Sequence, residues 1–188
     1  RGSKSGGFVS NTFGVVNTPT LNTFEFNDER SRNIEGGIKS SFLDRMVTAN
    51  VSVYNTRFND LQVSVYKPSA STYVTGNDAS ATSKGVEAQI ILRPTANFDL
   101  TASGAYQDMK YNSFPGAACL VGMTPSANGT CDLSGKRPAL ASKFMGSIQA
   151  HGRFDVDADH VVDVSATVAG RSRFMNADNQ DPNFGYQT

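Results

Sequence analysis

A chain of 188 residues can bury a sizeable core, yet AVILMFWYC residues supply only 38% of it and mean hydropathy is −0.34. Lys and Arg number 17 and so do Asp and Glu, which leaves no net charge to draw the chain to nucleic acid or to an anionic surface. No apolar run approaches the roughly 18 residues a membrane helix requires, and residues 1–20 lack the charged head and apolar stretch of a secretory signal.

The chain opens in mid-pattern with Arg1-Gly2-Ser3-Lys4-Ser5-Gly6-Gly7-Phe8. This is read as a piece of a longer protein, with room for a strand in these first residues. A long connection follows over 9–28. Then Ile34, Gly36, Ile38 and Phe42 oppose Asn33, Glu35, Lys39 and Ser41 in strict alternation. Successive strand side chains point to opposite faces, so such a segment has one apolar and one wet side. A tight turn at Leu43-Asp44-Arg45 leads to Val47, Ala49, Val51 and Val53, opposed by Thr48, Asn50 and Ser52. After a long connection over 61–76, Val86, Ala88, Ile90 and Leu92 oppose Glu87 and Gln89, with Ile91 an exception.

Another short turn, Pro94-Thr95-Ala96-Asn97, precedes the clearest strand. There Phe98, Leu100, Ala102, Gly104 and Tyr106 share one face, and Asp99, Thr101, Ser103, Ala105 and Gln107 the other. A third long connection spans 112–136. Beyond it, Phe144, Gly146, Ile148 and Ala150 oppose Ser147, Gln149 and His151. The connection Arg153 to Asp159 is short, and Val162, Val164, Ala166 and Val168 then oppose Asp163, Ser165 and Thr167.

Short and long connections therefore alternate. Sequential antiparallel strands put alternate connections at opposite ends of a sheet, so one end carries tight turns and the other long loops. That one-sidedness is the layout of outer-membrane barrels; turns in soluble sandwiches come at even spacing. Segments 82–93, 97–111, 140–152 and 160–174 reach the roughly 9–11 residues that a tilted membrane strand needs. A polar lumen accounts for the low hydropathy, and only a closed sheet satisfies its backbone in lipid. The expected fold class is all-β: an antiparallel up-and-down transmembrane β-barrel, present in part.

Cys119 and Cys131 are the only cysteines and are separated by residues rich in Gly, Pro, Asn, Thr and Ser. The spacing suits a disulfide closing an exposed loop in an oxidising compartment; two unrelated thiols are the alternative. Two cysteines with no nearby histidine do not make a zinc site.

Several segments resemble one family. Lys4-Ser5-Gly6-Gly7-Phe8 resembles a strand end before a long outer loop in the C-terminal barrel half of TonB-dependent receptors, especially those for iron complexes. Phe26-Asn27-Asp28-Glu29-Arg30-Ser31, followed by Asn33-Ile34-Glu35-Gly36-Gly37-Ile38-Lys39-Ser40, resembles the next descending strand. Val53-Tyr54-Asn55 with Asp60-Leu61-Gln62-Val63 resembles the ascent after it. Asn77-Asp78-Ala79 with Lys84-Gly85-Val86-Glu87 and Arg93-Pro94 resembles the following descent and turn. Leu133-Ser134-Gly135-Lys136-Arg137-Pro138 resembles the return after the cysteine loop.

The resemblance implies about seven strands of a barrel of about 22, with residues 1–188 all barrel and with the plug, the TonB box and the terminal strand lying outside the chain. It implies active transport across the outer membrane of a Gram-negative bacterium, with the TonB complex acting through the plug. It further implies a ferric siderophore or similar ligand, lipopolysaccharide and lipid as neighbours, no nucleic acid, no cofactor and no enzymatic step. A segment with two open sheet edges is not expected to fold alone in water. The alternatives are a passive porin-like channel and a secreted β-sandwich module or adhesin. The sandwich requires Phe98, Leu100, Val162 and Val164 to face a dry core.

No nucleophile elbow, Walker loop, dinucleotide fingerprint or HExxH occurs. Asp155, Asp157 and Asp159 have the alternation of a calcium loop, but in a tight turn they read as solvated acids. His151 and His160, which flank that turn, read as a solvated pair. Asn128-Gly129-Thr130 fits a glycosylation sequon and is read as a turn. Arg171 and Arg173 fall on the polar face at the outer end of the last strand, with Tyr111 and Arg137 expected near the same rim. These four are the candidates for a ligand vestibule, cationic and aromatic groups suited to an anionic chelate; a hydrated rim is the plainer reading.

Overall fold

A computed structural model describes residues 1–8, 25–67, 72–175 and 186–187. Its main body is one seven-stranded antiparallel sheet. In chain order the strands are β1 (Gly2–Lys4), β2 (Gly7–Phe8), β3 (Glu25–Phe26), β4 (Glu29–Phe42), β5 (Val47–Lys67), β6 (Thr72–Thr95), β7 (Phe98–Ser113), β8 (Phe144–Asp155), β9 (Val161–Arg171), β10 (Phe174–Met175) and β11 (Tyr186–Gln187). The sheet order is β1-β4-β5-β6-β7-β8-β9, and β2-β3 and β10-β11 form two small ribbons. The strand expected in the first residues is β1, which pairs Gly2 to Ser31 and Lys4 to Glu29. Among the described residues no helix is long and apolar enough to cross a membrane, which says nothing against crossing by strands.

The register explains why alternation in sequence becomes a surface. Directly opposed residues of an antiparallel pair share a face. Ser40, Ala49, Ile90, Ala102, Ile148 and Val168 stand in one row across six strands. The next row runs Phe42, Val47, Leu92, Leu100, Ala150 and Ala166. One face is thus apolar from β4 to β9. It is also uncovered, with Ile38 74%, Ile148 56% and Val168 77% exposed. Phe98, Val162 and Val164 are exposed and Leu100 is only half-buried, so no second sheet covers them among the described residues. The dry core a sandwich requires is not there.

Aromatic rings bracket the apolar band. At the turn end, Phe98 and Phe154 lean over Gly152, where an added Cβ would lie 3.1 Å from the Phe154 ring and 3.8 Å from that of Phe98. At the other end Tyr106 and Phe144 pair in register with ring centroids 5.0 Å apart. Girdles of this kind mark the two interfaces of a membrane barrel. The band between Phe98 and Tyr106 measures about 26 Å along the strand.

Turn residues 43–46, 96–97 and 156–160 lie at one end. In the first, the Met46 amide donates to the Leu43 carbonyl at 2.9 Å, and Leu43, Asp44 and Arg45 all have positive φ, at 51°, 53° and 71°. Positive φ at both central residues gives the turn a twist that matches the flanking strands.

The opposite end departs from expectation at 61–76. That stretch is mostly strand: β5 and β6 continue to Lys67 and from Thr72, making strands of 21 and 24 residues. Register shifts at Phe58/Leu61 and Leu61/Val63 absorb the residues that look like turn formers. The connection 9–28 lies outside the described residues except for 25–28.

Candidate functional site

The wet sides of the same strands form a concave wall. Glu35, Lys39, Asn50, Glu87, Gln89 and Arg171 are among the residues lining a trough of about 1160 Å³. Cross-strand bonds knit the wall. Asn50 Nδ2 donates to Gln89 Oε1 at 3.1 Å, Thr56 Oγ1 to Asn33 Oδ1 at 2.8 Å, and Gln107 Nε2 to Ser83 Oγ at 2.9 Å. Nearer the turns, His151 sits between two carboxylates, with Nδ1 3.1 Å from Asp99 Oδ1 and Nε2 3.3 Å from Asp163 Oδ1. This clasp joins β7, β8 and β9, so His151, part-exposed as it is, also ties three strands together.

His160 instead bonds Asp157, Nδ1 to Oδ1, at 2.7 Å. The same carboxylate oxygen accepts the Asp159 and His160 amides, each at 3.0 Å. These bonds, the one from His160 first, hold the Asp157 carboxyl below its ordinary pKa. Asp157 is thereby committed to its own turn. No group of three or more acidic, His or Cys residues suited to a metal occurs among the described residues.

The cysteine loop lies toward the outer end. Cys119 and Cys131 are joined with their Cα atoms 4.9 Å apart, and Ala117 and Cys131 exchange backbone bonds of 3.1 and 2.9 Å beside the bridge. Gly135, at φ 77°, turns the chain so that its amide reaches the Tyr111 carbonyl at 2.8 Å. Asp132 accepts from both the hydroxyl and the amide of Ser134, which lowers its pKa. The loop then presses Phe114, Ala117 and Leu133 against Val65 and Ala79 in the main buried apolar cluster among the described residues. Ala79 and Ala81 share the wet face with Ser83, and Ala81 opposes Tyr111. The loop therefore packs on the inner side of the β5–β6 extension, the side that faces the trough.

The four rim candidates do not form one group. Arg171 lines the trough, its guanidinium 4.1 Å from the Phe174 ring centroid. Arg173 follows it, exposed, beyond the strand end. Tyr111 meets Phe114 edge-on at 5.0 Å, within the apolar cluster. Arg137 reaches Asp108 at 3.5 Å, on the face that also carries Tyr106.

Four of the segments singled out in the sequence meet at a polar node. Gln62 Nε2 donates to the carbonyls of Ser5 (2.9 Å) and Asn27 (3.1 Å), its amide donates to Glu29 Oε2 (3.1 Å), and Asn77 bonds Asn27 and Asp60. The node fixes β1, β4, β5 and β6 to one another at the outer rim.

An uncovered apolar band with aromatic edges, a wet concave wall and a folded loop at one end together have the layout of a membrane barrel wall. The family profile described as "TonB dependent receptor-like, beta-barrel" matches residues 1–188. The chain belongs to that family. The fold is also that of the ferric yersiniabactin uptake receptor FyuA from Yersinia pestis, at a TM-score of 0.64 and 16% identity over 95% of this chain. The chain spans 23% of the length of that receptor. No curated protein matches. The TonB-dependent receptor family is one of transport receptors, not of enzymes. Among the described residues the sheet runs from β1 to β9 without closing on itself.

Proposed function

We propose that this chain is wall and outer-loop structure of an outer-membrane receptor that takes up a scarce nutrient, a ferric siderophore or similar complex, with energy delivered by the TonB complex. The observation that carries the reading is the apolar face continuous from β4 to β9 and uncovered along its length. An uncovered apolar face of that extent marks a membrane or protein contact, and its aromatic edges favour hydrocarbon. The wet wall then lines a lumen, and residues 1–188 supply no bond-making chemistry. Arg171 and Arg173 would steer an anionic chelate inward. Tyr111 acts indirectly, holding the cysteine loop against the wall, and Arg137 anchors the end of that loop.

The test is uptake of radiolabelled ferric complexes by cells with and without the parent gene, in energised and TonB-deficient backgrounds. The reading expects accumulation that requires both. Entry independent of TonB would replace it with a passive channel.

A further inference from the structure

The outward face changes character sharply above the apolar band. Gly36, Val53, Val86 and Tyr106 form its last wholly apolar row across β4, β5, β6 and β7. Ile34, Asn55, Lys84 and Asp108 stand in the next row, and Arg32, Arg57, Thr82 and Lys110 in the row after that. The parity is that of the lipid-facing residues, so these side chains point outward from the wall and not into the trough. Arg32, Arg57, Lys84 and Lys110 are exposed, and Arg30 continues the row upward on β4.

Arg32 and Arg57 are directly opposed in register. Like charges placed so destabilise a sheet. Asp108 is the carboxylate of these rows, and it is shared between Lys110 at 3.7 Å and Arg137 at 3.5 Å. Among the described residues neither Arg32 nor Arg57 forms a salt bridge. The row from Arg32 to Lys110 crosses three strand spacings, about 14 Å, wide enough for two phosphates on one headgroup.

We infer that this row is a binding site for the phosphates of an outer-leaflet glycolipid. The occupant is fixed by the order of chemistries along the wall. Hydrocarbon chains cover the band below Tyr106, and anionic headgroup atoms meet the guanidinium groups directly above it. Arg is suited to that task because its fork donates to phosphate oxygens in pairs. A free anion in water gains little at an exposed cationic row, whereas a phosphate held there by its own acyl chains is already in place. The inference rests on the outer-membrane reading of the chain.

The experiment uses the full-length receptor purified in mild detergent and probed by native mass spectrometry with bisphosphorylated lipid A. Its comparisons are monophosphorylated lipid A, inorganic phosphate, the double variant Arg32→Gln/Arg57→Gln, and Arg153→Gln near the turn end as a control for charge. The site expects bisphosphorylated lipid A to bind the parent, with affinity falling about tenfold or more in the double variant and little in Arg153→Gln. It expects weaker binding of the monophosphorylated form and none of inorganic phosphate. Equal binding of both lipids, equal binding by the double variant, or displacement by millimolar phosphate would overturn it. Heat-modifiable migration of every variant reports barrel integrity separately, so loss of the lipid site and failure of the barrel reading give different results.

Discussion

The side chain of Asn77 pairs with the backbone of Asn27 as a neighbouring strand would. Its Oδ1 accepts the Asn27 amide at 2.6 Å, and its Nδ2 donates to the Asn27 carbonyl at 2.9 Å. Nδ2 also donates to the Asp60 carbonyl at 2.7 Å, beside the β5 bulge where Asp60 has φ 53°. One amide thus joins β6 to the chain entering β4 and to β5. Each such bond is worth about 0.5–1.5 kcal/mol net. Asn77→Ala is expected to cost about 2 kcal/mol, read as a lower midpoint of thermal unfolding of the full-length receptor in detergent. Asn77→Asp keeps the acceptor but loses both donations, so it should lie nearer to Asn77→Ala than to the parent.

The Cys119–Cys131 bridge closes a short loop whose apolar residues pack on the inside of the β5–β6 extension. A cross-link of this span stabilises by about 2–3 kcal/mol through the unfolded state. Cys119→Ser/Cys131→Ser should therefore loosen the loop without opening the barrel. The expected result is faster protease cleavage within 114–136 with unchanged heat-modifiable migration. Cleavage at the parent rate would mean that packing of Phe114 and Leu133 suffices alone.

Alternation made the strands, the apolar band and the end-to-end asymmetry of connections legible in the sequence, because each depends on neighbours within one strand. The extension at 61–76 was not, since Pro68, Gly76 and Asn77 look like turn residues. The alternation of Val63 and Val65, with Val74 opposite Val65, was the overlooked signal. Nor could a single strand reveal the His151 clasp, which takes Asp99 from β7 and Asp163 from β9. The basic row was half visible. Arg30 and Arg32 carry the parity of Ile34, so continuing each strand's pattern past its last apolar residue would have found it. Its meaning required the register that brings Arg57 opposite Arg32.

The turn over 156–160 should respond to acid. Asp157 has a folded-state pKa below its unfolded value, so its contribution is present above the unfolded value and is lost as pH falls through the folded one. Amide exchange at Asp159 and His160, corrected for intrinsic rates, should accelerate once the carboxyl protonates, at a pH below the ordinary carboxylate range. Asp157→Asn should show raised exchange at neutral pH and a flatter acid response. An acid response equal to the parent's would place the titrating group elsewhere.

The turn at Leu43–Met46 holds a non-glycine residue in the left-handed region at Arg45, φ 71°. That conformation costs an L residue about 1 kcal/mol relative to glycine. Arg45→Gly also creates the Asp-Gly pair preferred in hairpins of this twist. It should raise the unfolding midpoint by the equivalent of about 0.5–1 kcal/mol. Arg45→Val, with a branched side chain at the same φ, should lower it.

Neighbouring residues on β8 test the membrane reading most directly, because they differ mainly in which way they point. Ile148 stands in the middle of the apolar band between Ala102 and Val168, 56% exposed. Ser147 lines the trough. In a soluble sheet with one solvated face, arginine at the more exposed of the two would be the milder change. In a barrel the order reverses: an arginine facing hydrocarbon near the midplane costs about 2–4 kcal/mol, whereas one facing the lumen meets water. Ile148→Arg in the full-length receptor should therefore reduce the fraction assembled in the outer membrane, read by heat-modifiable migration. Ser147→Arg should assemble like the parent and alter uptake alone. If both variants assembled equally well, hydrocarbon would not be what covers Ile148.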